Sequence, residues 1–108
     1  MSTRPETVEN LLEALAPAGR LSARAMFGEY ALYLDGRVVA LVCDDRLHVK
    51  PTPGARAALP DAPLAPPYPG AKPHLLCEEA LDDPAPVVAA LKAAALETPL
   101  PKPRKAKP

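Results

Sequence analysis

Cys43, Cys77, His48 and His74 are the residues whose types could hold a metal ion. Structural zinc sites draw four such ligands together, usually starting from closely spaced pairs. The chain has no CxxC pair, His48 falls on the polar side of an alternating segment, and Cys43 sits in an apolar run. The four are therefore read as reduced core thiols and surface histidines, and no metal is expected. Paired carboxylates at Asp44-Asp45, Glu78-Glu79 and Asp82-Asp83 could serve acid–base chemistry or hold a cation. Each pair sits at a turn or a helix start, where acidic side chains serve the backbone, so they are read as turn and cap residues. The glycines, at 19, 28, 36, 54 and 70, are too dispersed to cradle a phosphate. No nucleophile stands with a base, so no catalytic residue and no cofactor are expected.

The surrounding chain sets limits of its own. Its 108 residues allow one small domain with one modest core. Phe27, Tyr30, Tyr33 and Tyr68 are its only aromatic residues, so that core must be aliphatic. Lys and Arg number 13 and so do Asp and Glu, but the two signs are segregated. Every acidic residue lies in 1–97, whereas Lys102, Arg104, Lys105 and Lys107 crowd the end. An acidic body argues against a domain that reads nucleic-acid sequence, and direct nucleic-acid binding is not expected. The basic tail could make only screened, sequence-independent contacts. No apolar run is long enough to span a bilayer, and the N-terminus lacks the apolar stretch of a signal peptide. A cytoplasmic protein with no membrane contact is expected.

Proline placement maps the elements, because each proline fixes φ and removes a backbone donor. No proline lies between Pro17 and Pro51, so residues 19–50 are the best stretch for a continuous sheet. Before it, Val8, Leu11, Leu12 and Leu15 fall at helical spacing, predicting a helix over 5–16 with Thr3 and Glu6 as a capping box. From Leu21 the period becomes two. Asp35-Gly36 separates two β-rich runs as a type I′ hairpin turn does, and Asp44-Asp45 makes a second turn. With a strand over 22–26 and another over 74–78, an antiparallel sheet of about five strands is expected. Residues 51–73 hold eight prolines and a possible helical turn at 55–59, and read as a functional or mobile loop. Asp83-Pro84 opens a final helix that ends near Glu97, with Val87, Val88, Leu91 and Ala94 or Ala95 as its stripe. The chain thus divides into a domain over 1–97 and a basic, proline-rich tail over 98–108, read as disordered.

The segment Arg24-Ala25-Met26-Phe27-Gly28-Glu29-Tyr30-Ala31-Leu32-Tyr33-Leu34-Asp35-Gly36, followed by Ala40-Leu41-Val42 and Asp44-Asp45-Arg46-Leu47-His48-Val49-Lys50, resembles the TfoX N-terminal-domain family. Pro67-Tyr68, Lys72-Pro73 and the Asp-Pro helix start continue the likeness over residues 5–97. Glu29 stands where the family has a second glycine, Ala31 where it has a third, and His48 where it commonly has an aromatic. The competence regulators TfoX and Sxy carry a second, helical domain, whereas this sequence continues into a basic tail.

The resemblance implies a two-layer α+β fold, with N- and C-terminal helices packed on one antiparallel sheet. It also implies a non-enzymatic domain that acts by protein–protein contact in bacterial transcription control. The expected partner is a protein, with the transcription machinery as one possibility, and the state is monomer or homodimer. Arg24, Met26, Phe27, Gly28, Tyr30, Tyr33, Asp35, Gly36, Asp44 and Asp45 are the motif and the candidate partner surface. Read physically, Gly28 and Gly36 serve turns, Met26 and Phe27 serve the core, and one of Tyr30 and Tyr33 faces outward. Two alternatives stay open: a nucleic-acid accessory using Lys102, Arg104, Lys105 and Lys107, and a small-ligand domain with a polar cavity.

Overall fold

The structure is a computed structural model and describes residues 3–26 and 28–98. Six strands form one antiparallel sheet: β1 (Leu21–Met26), β2 (Glu29–Leu34), β3 (Arg37–Cys43), β4 (Arg46–Val49), β5 (Leu64–Ala65) and β6 (His74–Cys77). Their spatial order is β1-β2-β3-β4-β6-β5. The helices α1 (Pro5–Ala14), α2 (Pro53–Ala58) and α3 (Pro84–Glu97) complete a two-layer α+β fold. Val8 and Leu11 of α1, and Val87 and Leu91 of α3, join Leu32, Val42, Leu47, Val49 and Leu75 of the sheet in one buried cluster. The core is aliphatic.

The first four strands are a meander closed by two-residue turns. Asp35 and Gly36 have φ of +52° and +84°, the left-handed pair that a type I′ hairpin requires. Between β3 and β4 the same geometry falls on Asp44 and Asp45, at +55° and +60°, with no glycine to ease it. Tyr33 pairs with Val38 but Leu32 pairs with Ala40, so Val39 is the extra residue of a bulge. The bulge turns both Val39 and Ala40 inward, where both are buried.

Four local expectations change. The capping box at Thr3 and Glu6 does not form: Arg4 is the N-cap of α1 without a side-chain cap bond, because the Thr3 hydroxyl is engaged elsewhere. The first helix stops at Ala14, and Ala16–Ala18 adds a 3-10 turn. Asp83 precedes α3 as expected, but its carboxylate makes no cap bond. The proline-rich segment is more ordered than an irregular loop. It contains α2, where Thr52 accepts the Ala55 N–H at 3.2 Å, and β5, the sixth strand.

Glu97, at the end of α3, accepts the Gly54 N–H at 2.9 Å, placing a carboxylate at the α2 N-terminus. A Cβ added at Gly54 would lie 2.8 Å from Ala93 Cβ and collide with the Glu97 carboxylate. Helix propensity favours alanine over glycine by about 1 kcal/mol, whereas overpacking a close contact costs about 1–3 kcal/mol. Gly54→Ala should therefore lower the urea unfolding midpoint. An unchanged or raised midpoint would contradict the close approach of α2 and α3.

Candidate functional site

Side chains alternate across a strand, and directly paired residues share a face, so the register assigns every sheet residue to a side. One row runs Ala23, Leu32, Ala40, Val49, Leu75, and another runs Ala25, Tyr30, Val42, Leu47, Cys77. Both rows face the helices. Between them lies the row Arg24, Ala31, Leu41, His48, Leu76, which crosses five strands on the opposite face. Ser22, Tyr33 and Val38 form a shorter row on that same face.

Tyr33, Val38, Leu41 and Leu76 are half-buried, and none belongs to the core cluster or packs against it. The register places them on the face of the sheet opposite the two core rows. On that face, Arg24 holds its guanidinium 5.6 Å from the centroid of the Tyr33 ring, within cation–π range. The two tyrosines do point to opposite faces: Tyr30 packs against the core, and Tyr33 stands outside it.

His48 is not the surface histidine expected from alternation. It is only 4% exposed, walled in by its row neighbours Leu41 and Leu76. Its Nδ1–H donates to the Arg46 carbonyl at 3.0 Å. Burial pushes its pKa below the ordinary histidine value, since the charged ring loses hydration. Met26, expected in the core, is 41% exposed, because β1 is an edge strand and its last residue falls on the uncovered face. Phe27, Lys102, Arg104, Lys105 and Lys107 lie outside the described residues.

The acidic motif residues gather elsewhere, at the end of the sheet where the β1–β2 and β3–β4 turns meet. Thr3 is their hub. Its hydroxyl accepts the Asp45 N–H at 3.1 Å and has one proton to donate. Glu29 Oε1 lies 2.6 Å away and the Val42 carbonyl 3.2 Å, so the proton goes to the carboxylate. Glu29 Oε1 also accepts the Asp44 N–H at 3.0 Å, and the Thr3 N–H donates to the Gly28 carbonyl at 3.0 Å. Asp45 Oδ1 accepts from the Arg4 N–H at 2.9 Å and the Thr7 hydroxyl at 2.8 Å. Those bonds hold its carboxyl below the usual carboxylate range. Gly28, Asp44 and Asp45 thus belong to a latch between the N-terminal segment and two turns, while Asp35 and Gly36 shape the turn at the other end.

Cys43 and Cys77 are both free and lie on opposite faces of the sheet. Burial first, and for Cys43 also the nearby Glu29 and Asp44 charges, pushes each thiol up to about 11. Both stay protonated and weakly nucleophilic at neutral pH. Among the described residues, no three His, Cys, Asp or Glu side chains gather as a metal set. None of the described helices is long and apolar enough to cross a membrane. Sequence reasoning missed Val38, Leu41 and Leu76 as surface residues, although the unbroken apolar run over 38–43 signalled a strand with no water-facing side. It also missed Thr3 and Glu29, whose partners are 26 residues apart in the chain.

The family model for the TfoX N-terminal domain matches residues 13–97 of the chain. A relative from Spirochaeta aurantia, an uncharacterised 12.7 kDa protein in the trpE 5′ region, is 36% identical over 107 residues, covering 99% of this chain and 93% of the relative.

Two measurements check this geometry. Thr3→Val keeps the shape but leaves the Asp45 N–H without its acceptor, and should cost about 1 kcal/mol in urea unfolding. A neutral result would mean that the latch contributes nothing. The pH dependence has two windows. Unfolded His48 takes up a proton near pH 6.5, whereas the folded ring does so only lower, so stability falls as pH drops through 6.5. Asp45 is depressed in the folded state, so its contribution is present above the ordinary carboxylate range and lost as pH falls through its folded value. His48→Gln should remove the upper window and leave the lower. A profile unchanged by that substitution would contradict the buried, neutral ring.

Proposed function

The chain belongs to the TfoX N-terminal domain family, and from that premise we propose that it is a non-enzymatic regulatory domain that works by binding another protein. The partner docks on the uncovered face of the sheet. The observation that carries this reading is the set Tyr33, Val38, Leu41 and Leu76, four half-buried apolar residues outside the core cluster on the same face of the sheet. An apolar patch on a small domain marks a contact surface, and a tyrosine within it supplies area with one hydrogen bond at low entropic cost. Arg24 stacked on Tyr33 adds the residue type most often found beside such anchors. The transcriptional setting follows from the competence regulators that give the family its name. Protonated thiols and a capped acidic turn leave Cys43, Cys77, Asp44 and Asp45 with structural roles, in keeping with a domain that binds and does not catalyse.

A double variant, Tyr33→Ser with Leu41→Ser, removes apolar area from the open face without touching the core cluster. It should keep the circular dichroism spectrum and lose the protein that the wild-type chain retains from native-cell extract at moderate salt. Equal retention by both, or recovery of nucleic acid alone, would sink the reading.

A further inference from the structure

A cavity of about 480 Å³ opens between the segment that follows α2, the end of β6 and the start of α3. Leu59 and Val87 belong to its apolar lining, and its carboxylates are Asp61, Glu78, Glu79 and Asp83. No Lys or Arg among the described residues lines it. Glu78 is paired with Arg46 Nε at 3.3 Å, whereas among the described residues Asp61, Glu79 and Asp83 have no ion pair. Asp83 is not spent on its own helix either: it stands at the N-cap of α3, yet its carboxylate makes no cap bond. An apolar hollow with charge of one sign at its rim fits a lysine or arginine side chain, whose stem is aliphatic and whose head is cationic.

A second cavity, of about 280 Å³, adjoins the first, and Cys77, Glu78 and Ala80 line both. Two of its carboxylates are already paired, Glu78 with Arg46 and Asp45 with Arg4 at 3.6 Å. Leu11, Leu47 and Leu81 supply apolar lining, and Leu81 is 49% exposed. This hollow suits an aliphatic side chain. Side chains i and i+2 of an extended segment stand about 7 Å apart on one side, so a single strand of chain can offer a cation to the first hollow and an aliphatic group to the second. Leu76 ties both to the open face of the sheet: it lines the larger cavity and ends the row Arg24, Ala31, Leu41, His48, Leu76. A protein laid on that face has the hollows at its border.

We propose that the two cavities form one groove for an extended segment of the partner protein, with a lysine or arginine among Asp61, Glu79 and Asp83 and an aliphatic residue against Leu81. The partner is the protein of the sheet-face reading, on which the groove rests, and the groove adds the chemistry that protein must carry. Charge complementarity selects the basic residue, because an acidic segment would meet three carboxylates and be repelled. Leu81 selects the aliphatic one, since a small hydrophilic cation would leave it in water.

The test is a titration of the 15N-enriched full chain, followed through its amide shifts, with a capped hexapeptide of alternating lysine and leucine as the probe. Amides of Asp61, Glu79, Leu81 and Asp83 should shift and saturate, and those of Val38 and Leu41 should stay in place. The triple variant Asp61→Asn, Glu79→Gln, Asp83→Asn should weaken binding about tenfold, as the loss of three exposed ion pairs would. Leu81→Ser should weaken it several-fold. All four side chains are exposed, so the substitutions leave the core intact and the circular dichroism spectrum unchanged. A lysine–serine hexapeptide, a glutamate–leucine hexapeptide and spermidine should each bind at least tenfold more weakly than the probe. Absence of saturable shifts, shifts centred on Val38 and Leu41, an affinity indifferent to the triple variant or to Leu81→Ser, or equal affinity for any of the three controls would each overturn the groove. None of these results bears on the capture experiment with Tyr33→Ser and Leu41→Ser, so the groove and the sheet-face reading fail separately.

Discussion

An antiparallel sheet has two faces, and here the three helices pack on one of them. That constraint governs the molecule. β3 is the central example: Val39, Ala40 and Val42 join the core, while Val38 and Leu41 stand outside the core cluster. Burying a Val, Leu or Phe-sized side chain from full exposure is worth roughly 1.5–3 kcal/mol, so four half-exposed ones hold a useful fraction of that in reserve. A second macromolecule laid on the surface would release it. The small size of the domain makes the shortage of cover unavoidable, since the described residues supply three helices to cover six strands.

The latch at the other end of the sheet separates the shaping part of the family motif from its presenting part. Asp44 and Asp45 both sit in the left-handed region, at about 1 kcal/mol or more each for residues other than glycine. The Asp44 N–H bond to Glu29 and the Asp45 bonds to Thr3, Arg4 and Thr7 hold that geometry in place. Glu29, standing in place of a glycine, contributes a carboxylate that binds the turn and the N-terminal segment together. Arg24 and Tyr33 take no part in the latch, and they lie on the face opposite the core rows.

Much of this architecture was legible in the chain. The empty stretch between Pro17 and Pro51, the period-two patterning and Asp35-Gly36 located the meander, because turn chemistry and strand periodicity act over a few residues. The helix stripe Val87, Leu91 and Ala94 was readable for the same reason. Tertiary choices were not. The Thr3 hydroxyl could cap its own helix or bind Glu29 and Asp45 across the fold, and local spacing alone favoured the cap. His48 alternates with Leu47 and Val49 as an exposed residue should, yet its row neighbours bury it. Sheet-face membership of Tyr33, Val38, Leu41 and Leu76 needed the register, bulge included, before it could be seen. The cavity carboxylates come from two segments on either side of β6, and no local pattern joins them.

The most direct test places a photo-crosslinking residue at Ser22, exposed on the uncovered face beside Tyr33, and separately at Glu9, exposed on α1. Irradiation in native cells should give a specific protein adduct from Ser22 and none of the same identity from Glu9. The same adduct from Glu9 alone, or nucleic acid as the only adduct of Ser22, would contradict the claim that the open sheet face is where this domain meets its partner.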